Sequence, residues 1–209
     1  MNEKRDNKSF WNRYAKLYDF EINQFSGKAY TDMYRMMAST LSHDMDVLEV
    51  ATGTGLIAIN IAAHVRHVEA TDFSPQMINK AKRKKVPDNV RFSVEDATQL
   101  SFEESSFDAV IISNALHIMP DPVKVLFNIS RALKPNGLLI APTYSHGHLH
   151  ESTWNLNAKF LKLIGFETHS KWKPDEYVEF IGQNGFRVVK CQVLNAAFPL
   201  VYLEAQKQT

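Results

Sequence analysis

The stretch VLEVATGTGLIAI, residues 47–59, joins two apolar runs through a loop of small residues and carries one acid, Glu49, in its first run. This is the pattern of a strand that feeds a glycine loop and opens a helix. In α/β proteins such a loop commonly lies under a cofactor. The stretch therefore predicts both an α/β fold and a cofactor site.

Short apolar runs and helical patterns alternate from Asp46 onward, which predicts a parallel sheet with helices on both faces. One predicted helix begins at Ser74 and Pro75, and another at Asp121 and Pro122. The predicted strands are VLEVA, HVEATD, VRFSV, DAVIISN and LLIAPT, followed near the end by FRVVKCQVL and FPLVYLEAQK, which form a hairpin. The predicted fold class is a Rossmann-like, doubly wound α/β fold with a mostly parallel seven-stranded sheet, a C-terminal antiparallel hairpin and an N-terminal helical lid.

The chain is predicted to form one domain over residues 1–209. Residues 1–43 are the predicted helical lid, 44–143 the cofactor-binding core, and 144–209 a substrate-side loop and helices plus the closing hairpin. Two amphipathic helices are predicted in the lid, the second after Gly27. Their apolar faces carry Phe10, Trp11, Tyr14, Leu17 and Tyr18, and then Tyr30, Met33, Tyr34, Met37 and Leu41.

Composition narrows the classes of partner. Hydrophobic residues make up 44% of the 209 residues, and the formal net charge is +1, which gives no general electrostatic case for a nucleic-acid partner. The N-terminus lacks the apolar core of a secretory signal, and no apolar run approaches the roughly 18 residues that span a bilayer. A cytoplasmic protein with no integral membrane segment is predicted, and its oligomeric state stays open.

The loop itself matches GxGxxA over Gly53–Ala58, and Asp72 follows Gly53 by 19 positions, close to the spacing of an acid that binds a ribose diol. A P-loop is excluded because no Gly-Lys-Ser/Thr follows. Glu49 lies near the carboxyl end of its strand, where its charge would repel a pyrophosphate and attract an ammonium group. S-adenosylmethionine, which has a cationic amino-acid end and a ribose, meets both conditions.

With these motifs in order, the sequence resembles the class I S-adenosylmethionine-dependent methyltransferases, specifically the small enzymes related to the quinone-biosynthesis methyltransferase branch. The resemblance runs from WNRYAKLYD to the end of the chain, through EVATGTG, ATDFSPQMINKAK, VEDATQLSF and SNALHIMPDP. The cofactor contacts that it implies are Glu49 near the methionyl amine, Gly53 and Gly55 under the cofactor, Asp72 at the ribose, Phe73 and Met77 beside the adenine, Asp96 and Ala97 at the adenine edge, Asn114 and Leu116 at the methionyl end, and Tyr14 and Tyr18 closing over it.

One position departs from the family pattern. Ala51 stands where the family has the first glycine of its triplet, and a methyl group in the cofactor-binding loop could crowd it. Tyr14 and Tyr18 also have a simpler explanation as core contacts of an amphipathic helix. The basic run KAKRKK, residues 80–85, is interpreted as the solvated end of a helix.

The acceptor is predicted to be a small, partly apolar molecule, and its methylated atom stays open. His117, after the fourth strand, is either a general base or a packed histidine. Tyr144, His146 and His148 are predicted on the substrate side. No metal is predicted, because the HxHxH pattern of residues 146–150 has no evident fourth ligand. Two other classes stay open: an NAD-dependent oxidoreductase, which GxGxxA and Asp72 allow, and a non-catalytic binding module.

Overall fold

The computed structural model describes residues 10–12, 18–145, 168–194 and 199–208 of the chain. Helices cover both faces of one sheet of eight strands, as the alternating sequence pattern predicted. The strands are β1 Asp46–Val50, β2 His67–Asp72, β3 Val90–Val94, β4 Phe107–Ile112, β5 Leu133–Ile140, β6 Thr143–Tyr144, β7 Phe186–Leu194 and β8 Leu200–Lys207. The helices are α1 Tyr18–Thr40, α2 Leu56–Ile61, α3 Pro75–Lys82, α4 Pro122–Ala132 and α5 Pro174–Gln183, with 3₁₀ turns at Ala62–His64, Ala97–Gln99 and Leu116–Ile118.

The order of the strands across the sheet creates the site. β1 pairs in parallel with β2 on one side and with β4 on the other, and β3 and β5 lie outside these two. Chain connections therefore diverge between β1 and β4, and in open α/β sheets ligands bind at the carboxyl ends of the strands at such a switch point. β8 is antiparallel to both β5 and β7, and the two-residue β6 continues along the same edge of β8 as β5. The sheet thus has seven positions, with the predicted hairpin at its edge.

Two apolar layers hold the sheet, and the strand period of two assigns residues to them. In β1, Val47 packs in the layer that contains α1, α2 and α3, whereas Leu48 and Val50 pack in the layer that contains α4 and α5. Glu49 shares its face with Val47, so its carboxyl group points to the α2 side. The alternation of β1 thereby decides which helix Glu49 meets.

The helix starts follow the predicted capping residues. Ser74 caps α3 by accepting a hydrogen bond from the Met77 amide at 3.2 Å, and Asp121 caps α4 by accepting one from the Lys124 amide at 3.0 Å. Proline occupies the first turn of both helices. These caps satisfy amide groups that a helix start leaves without an intrahelical partner.

The predicted start of the second lid helix is wrong, because α1 runs without interruption from Tyr18 through Gly27 to Thr40. A glycine inside a helix costs about 1 kcal/mol, an amount that packing of an apolar face readily exceeds. Met33 and Met37 are fully buried against the sheet. None of the described helices is both long enough and apolar enough to cross a membrane.

Candidate functional site

A cavity of about 280 Å³ opens at the carboxyl ends of β1, β2, β3 and β4, where the switch point lies. Its volume is near the lower end of the roughly 300–1,000 Å³ range of small-molecule sites. The loops that follow these four strands supply most of its wall. The lining residues are Trp11, Ala51, Gly53, Asp72, Phe73, Met77, Glu95, Asp96, Ala97, Thr98, Ser113, Asn114, Ala115, Ile118, Met119, Pro120 and Asp121.

The ionisable groups of the cavity wall all have one sign. Asp72, Glu95, Asp96 and Asp121 line it, and no lysine, arginine or histidine does among the residues that the structure describes. A wall of this kind favours a cationic ligand and disfavours a pyrophosphate, because like charges repel and opposite charges attract at close range. The charge of the wall therefore discriminates between the two cofactor classes that the glycine loop allows.

Asp72, at the end of β2, joins two loops under the cavity. Its carboxylate accepts hydrogen bonds from the Gly53 and Ser74 amides, each at 2.9 Å. Burial raises the pKa of Asp72 to about 6, although both amide bonds oppose the rise. The carboxylate keeps further lone pairs with which it can accept from a ligand.

Glu49 lies behind the glycine loop and is absent from the cavity wall. The side chain is 2% exposed, and its Oε2 accepts from the Thr52 hydroxyl at 2.6 Å and from the Ala58 amide at 2.9 Å. Burial raises the pKa of Glu49 to about 8, against these two hydrogen bonds, and the nearby Asp72 charge adds to the rise. Glu49 therefore holds the loop, and with this pKa its carboxyl group is mostly protonated in the free protein at neutral pH.

Three residues of the loop have left-handed backbone: Ala51, Gly53 and Gly55, with φ of 57°, 58° and 77°. For Ala51 this conformation costs about 1–2 kcal/mol, and the residue lines the cavity. Gly55 faces the protein interior: a Cβ there would lie 2.5 Å from Cζ of Phe92. A residue without a side chain at position 55 therefore allows the loop to pack closely against Phe92 of β3.

Asn114, in the loop after β4, has a strained backbone conformation and a side-chain oxygen without a hydrogen-bond partner among the described residues. Its φ is 52°, and its backbone amide donates to the Pro142 carbonyl at 2.8 Å. Its side-chain Nδ2 donates to the Tyr30 hydroxyl at 2.9 Å. Its buried Oδ1 has no hydrogen-bond partner among the described residues. A buried acceptor of this kind costs free energy unless a ligand supplies a donor.

Other predicted site residues divide into three groups. Phe73, Met77, Asp96 and Ala97 line the cavity, with the Asp96 carboxylate capping the 3₁₀ turn through the Thr98 amide at 2.8 Å. Leu116, His117 and Tyr144 are described but do not line it. Tyr14, His146 and His148 lie outside the described residues, as does the side chain of Tyr18.

His117 packs away from the cavity wall in a hydrogen-bonded position. Its Nδ1 lies 3.0 Å from the Thr143 hydroxyl, and its carbonyl accepts from the amides of His169 and Ser170. The side chain is 8% exposed. These contacts favour the packed interpretation of His117, and its role as a general base stays a prediction.

Several cavity residues were missed in the sequence. All of them except Trp11 lie in the connections after β3 and β4, so the rule that ligands meet the carboxyl ends of strands would have found them. Trp11 belongs to the N-terminal segment. The hydroxyl of Ser74, the cap of α3, donates a hydrogen bond to Oδ1 of Asn12 at 2.6 Å and so connects this segment to α3. The missed residues are Trp11, Glu95, Thr98, Ser113, Ala115, Ile118, Met119, Pro120 and Asp121.

Lys84 departs from the interpretation of the basic run as a purely solvated helix end. Its ammonium group donates to the carbonyl of the fully buried Thr54 at 2.7 Å, within the glycine loop.

We expect Lys84→Met to lower the melting temperature by roughly 3–6 °C, since a hydrogen bond from a charged group contributes about 1.5 kcal/mol. The exposed Lys85→Met is the control, and equal melting temperatures of the two variants would contradict the assignment.

Comparison with known proteins places these features in context. The family model described as a methyltransferase domain matches residues 48–141. The ubiquinone/menaquinone biosynthesis C-methyltransferase UbiE of Citrifermentans bemidjiense is 30% identical over 162 residues, 70% of this chain and 68% of that protein. The demethylmenaquinone methyltransferase of Clavibacter sepedonicus is 40% identical over 100 residues, 47% of this chain. The aligned part spans only 41% of the length of that Clavibacter protein.

Solved structures share the fold at low sequence identity. A chain in the complex between the Haloferax volcanii Trm112 methyltransferase activator and a methyltransferase superposes with a TM-score of 0.78, 18% identity and coverage of 99% of this chain and 100% of that one. A Bacillus halodurans protein described as a methyltransferase superposes with a TM-score of 0.72 and 19% identity, covering 86% of this chain and 100% of that one. At these identities the likeness establishes the fold alone.

Proposed function

Because the chain belongs to the class I S-adenosylmethionine-dependent methyltransferases, in the branch of the quinone-biosynthesis enzymes, we propose that it transfers a methyl group to a small-molecule acceptor. The observation that carries the proposal is the cavity at the switch point, whose wall holds four carboxyl groups and no cationic side chain among the described residues. S-adenosylmethionine is cationic at the sulfonium and at the ammonium group, so it suits this wall. A dinucleotide carries its negative pyrophosphate to the same loop and does not.

The residues present fit the proposed cofactor. Asp72 would accept from the ribose hydroxyls, and Phe73 and Met77 offer apolar surface for the adenine. The Oδ1 of Asn114, which has no hydrogen-bond partner among the described residues, would accept from the methionyl ammonium. When bound, S-adenosylmethionine supplies a methyl group on a sulfonium, a centre suited to in-line displacement by a nucleophile.

The chain contributes chiefly binding, orientation and exclusion of water. Methyl transfer from a sulfonium moves charge along one axis, so holding the reactants in line provides most of the acceleration. Trp11, Ile118 and Met119 form an apolar part of the wall. The relatives named above are a demethylmenaquinone methyltransferase and a ubiquinone/menaquinone biosynthesis C-methyltransferase. We propose the reduced, hydroquinone form of such a ring as the acceptor here: its nucleophilic ring carbon bonds to the methyl group as the bond from that methyl group to sulfur breaks, and the same carbon then loses its proton.

A thermal melt tests the cofactor class. S-adenosylhomocysteine at about 100 times its dissociation constant is expected to stabilise the protein by about 2.7 kcal/mol, a rise of roughly 5–10 °C in the melting temperature. NAD at the same concentration is expected to leave the melting temperature unchanged, because the acidic wall repels its pyrophosphate. A rise with NAD alone would refute the proposal, and a rise with neither ligand would favour a non-catalytic module.

The variant Asp72→Ala tests, in the same thermal-melt assay, whether the ribose binds at Asp72. Loss of charge-assisted hydrogen bonds to the hydroxyls is expected to reduce affinity for S-adenosylhomocysteine about tenfold to a hundredfold. The ligand-induced shift is the readout, because loss of the Gly53 and Ser74 bonds also lowers the melting temperature of the free protein. Asp88→Ala, at an exposed loop position, serves as the control. An unchanged shift in Asp72→Ala would show that the ribose binds elsewhere.

A further inference from the structure

Tyr30 connects α1 to the wall of the cavity. The tyrosine is 5% exposed, and its hydroxyl accepts a hydrogen bond from Nδ2 of Asn114 at 2.9 Å. The two residues are 84 positions apart in sequence. Nothing in the sequence motifs assigns Tyr30 a role beyond the apolar face of its helix. The contact nevertheless reaches a lining residue whose buried side-chain Oδ1 has no hydrogen-bond partner among the described residues.

The surroundings of Asn114 determine which way its amide points. The backbone is pinned in a left-handed conformation by the bond from its amide to the Pro142 carbonyl. The side-chain Nδ2 is directed at two hydroxyl oxygens, that of Tyr30 and, at 3.4 Å, that of Ser113. Because the amide group is planar, fixing Nδ2 also fixes Oδ1, which is left as an acceptor without a protein donor among the described residues.

We propose that Tyr30 is a positioning residue for the amino end of the cofactor: it holds the Asn114 amide so that Oδ1 accepts from the ligand ammonium. The inference rests on the proposed function, since it takes S-adenosylmethionine as the ligand. Without the Tyr30 hydroxyl, only the longer contact with Ser113 still holds Nδ2, and the amide can rotate and present its NH₂ group, a donor, to a cation. The ammonium then loses an acceptor and meets a partial positive charge.

Two ligands separate this role from a general effect on the site. S-adenosylhomocysteine carries the ammonium group, whereas 5′-methylthioadenosine shares the adenosine and the sulfur and lacks the amino-acid end. We expect Tyr30→Phe to weaken S-adenosylhomocysteine about tenfold by isothermal titration calorimetry and to change 5′-methylthioadenosine by less than about twofold. Tyr34→Phe is the matched control on the same helix, because Tyr34 packs edge-on to Tyr30 with the ring centroids 6.0 Å apart. It is expected to alter neither affinity.

A second background tests whether Tyr30 acts through Asn114. Asn114→Gly removes the amide and accommodates the left-handed backbone, so the loop is expected to keep its path. In that background Tyr30→Phe is expected to change S-adenosylhomocysteine affinity by less than about twofold, because the group it would orient is gone. An additive tenfold loss there would overturn the proposal.

The remaining outcomes are distinct. Equal weakening of both ligands by Tyr30→Phe would mean that the hydroxyl supports the cavity as a whole, and unchanged S-adenosylhomocysteine affinity would mean that it does not orient Asn114. Either result overturns the positioning role and leaves the cofactor assignment intact. Failure of the unmodified protein to bind S-adenosylhomocysteine would instead overturn the proposed function, and the inference with it.

Discussion

Gly55→Ala is expected to lower the melting temperature by roughly 6–12 °C, a loss of about 3 kcal/mol in the free energy of unfolding. Two costs combine at this position. The backbone φ of 77° places an added Cβ in the left-handed region, at about 1–2 kcal/mol. The same Cβ would lie 2.5 and 2.6 Å from two ring atoms of the buried Phe92 and 3.2 Å from Cβ of Ala81, so the ring or the loop must move.

Two comparisons isolate the steric part of this loss. Gly185 has a φ of 87° and nothing within 4 Å of a built Cβ, so Gly185→Ala is expected to cost only the backbone share, about 1–2 kcal/mol. Phe92→Leu in the Gly55→Ala background is expected to recover part of the stability, although Phe92→Leu alone destabilises. Equal losses for the two alanine variants, measured by denaturant unfolding, would contradict the steric argument.

Features set by local chemistry were predictable from the sequence. The caps at Ser74 and Asp121 depend on residue types next to the first helical turn, and both are present. Alternation of apolar runs and helical patterns was enough to predict the mostly parallel sheet and its closing hairpin. Gly27 shows the limit of local reasoning: a residue that weakens helices in isolation lies inside α1, whose later turns bury Met33 and Met37.

The site was predictable where a side chain follows a strand, and less so where distant segments meet. Asp72 and Asp96 lie at the cavity wall because the carboxyl ends of β2 and β3 meet there. The contacts of Lys84 with Thr54 and of Asn114 with Tyr30 join residues 30 and 84 positions apart. Such contacts depend on how helices pack on the sheet, and no spacing rule in one sequence encodes them.

Glu49 lies on the predicted strand, but it is buried behind the glycine loop and does not line the cavity. Its position near the end of β1 predicts a carboxylate that reaches toward the ligand, and in the structure the side chain lies on the α2 side of the sheet. The glycine loop, however, folds back over it, and the amide of Ala58 and the hydroxyl of Thr52 occupy its Oε2. Because Glu49 is buried behind the loop, ionising its carboxyl group lowers the stability of the free protein, which an exposed acid on the cavity wall would not do.

Glu49→Gln is expected to stabilise the free protein at neutral pH and to weaken ligand binding at the same time. Burial raises the pKa of Glu49 in the folded protein from 4.5 to about 8. Between these two values the folded state keeps a proton that the unfolded state releases, so the carboxyl group lowers stability as pH rises through that window. Glutamine has no such proton and can still accept from Thr52 and Ala58 through its amide oxygen.

The melting temperatures of the two proteins should therefore diverge with pH. They are expected to agree near pH 4, below the pKa of the unfolded chain, and the variant is expected to melt roughly 5–10 °C higher near pH 8, where the buried carboxyl lowers stability by about 2–4 kcal/mol. Glu103→Gln changes the same charge at an exposed position and is expected to shift nothing across this range. A constant difference between pH 5 and pH 8 would show that Glu49 is already ionised in the free protein.

The ionised Glu49 carboxylate should affect ligand binding in the opposite direction: it lowers the stability of the free protein but should strengthen binding. The ammonium group of S-adenosylhomocysteine, placed at the loop, stabilises the ionised form of Glu49 and lowers its pKa. Binding therefore releases a proton, and affinity for S-adenosylhomocysteine is expected to rise between about pH 6 and pH 8. In Glu49→Gln this rise is expected to vanish, with affinity near pH 8 reduced about tenfold or more. Calorimetry in buffers of different ionisation enthalpy measures the released proton directly. Tighter binding by the more stable variant would mean that the buried carboxyl serves the loop alone, whereas weaker binding would show that its destabilising charge is retained for the cofactor.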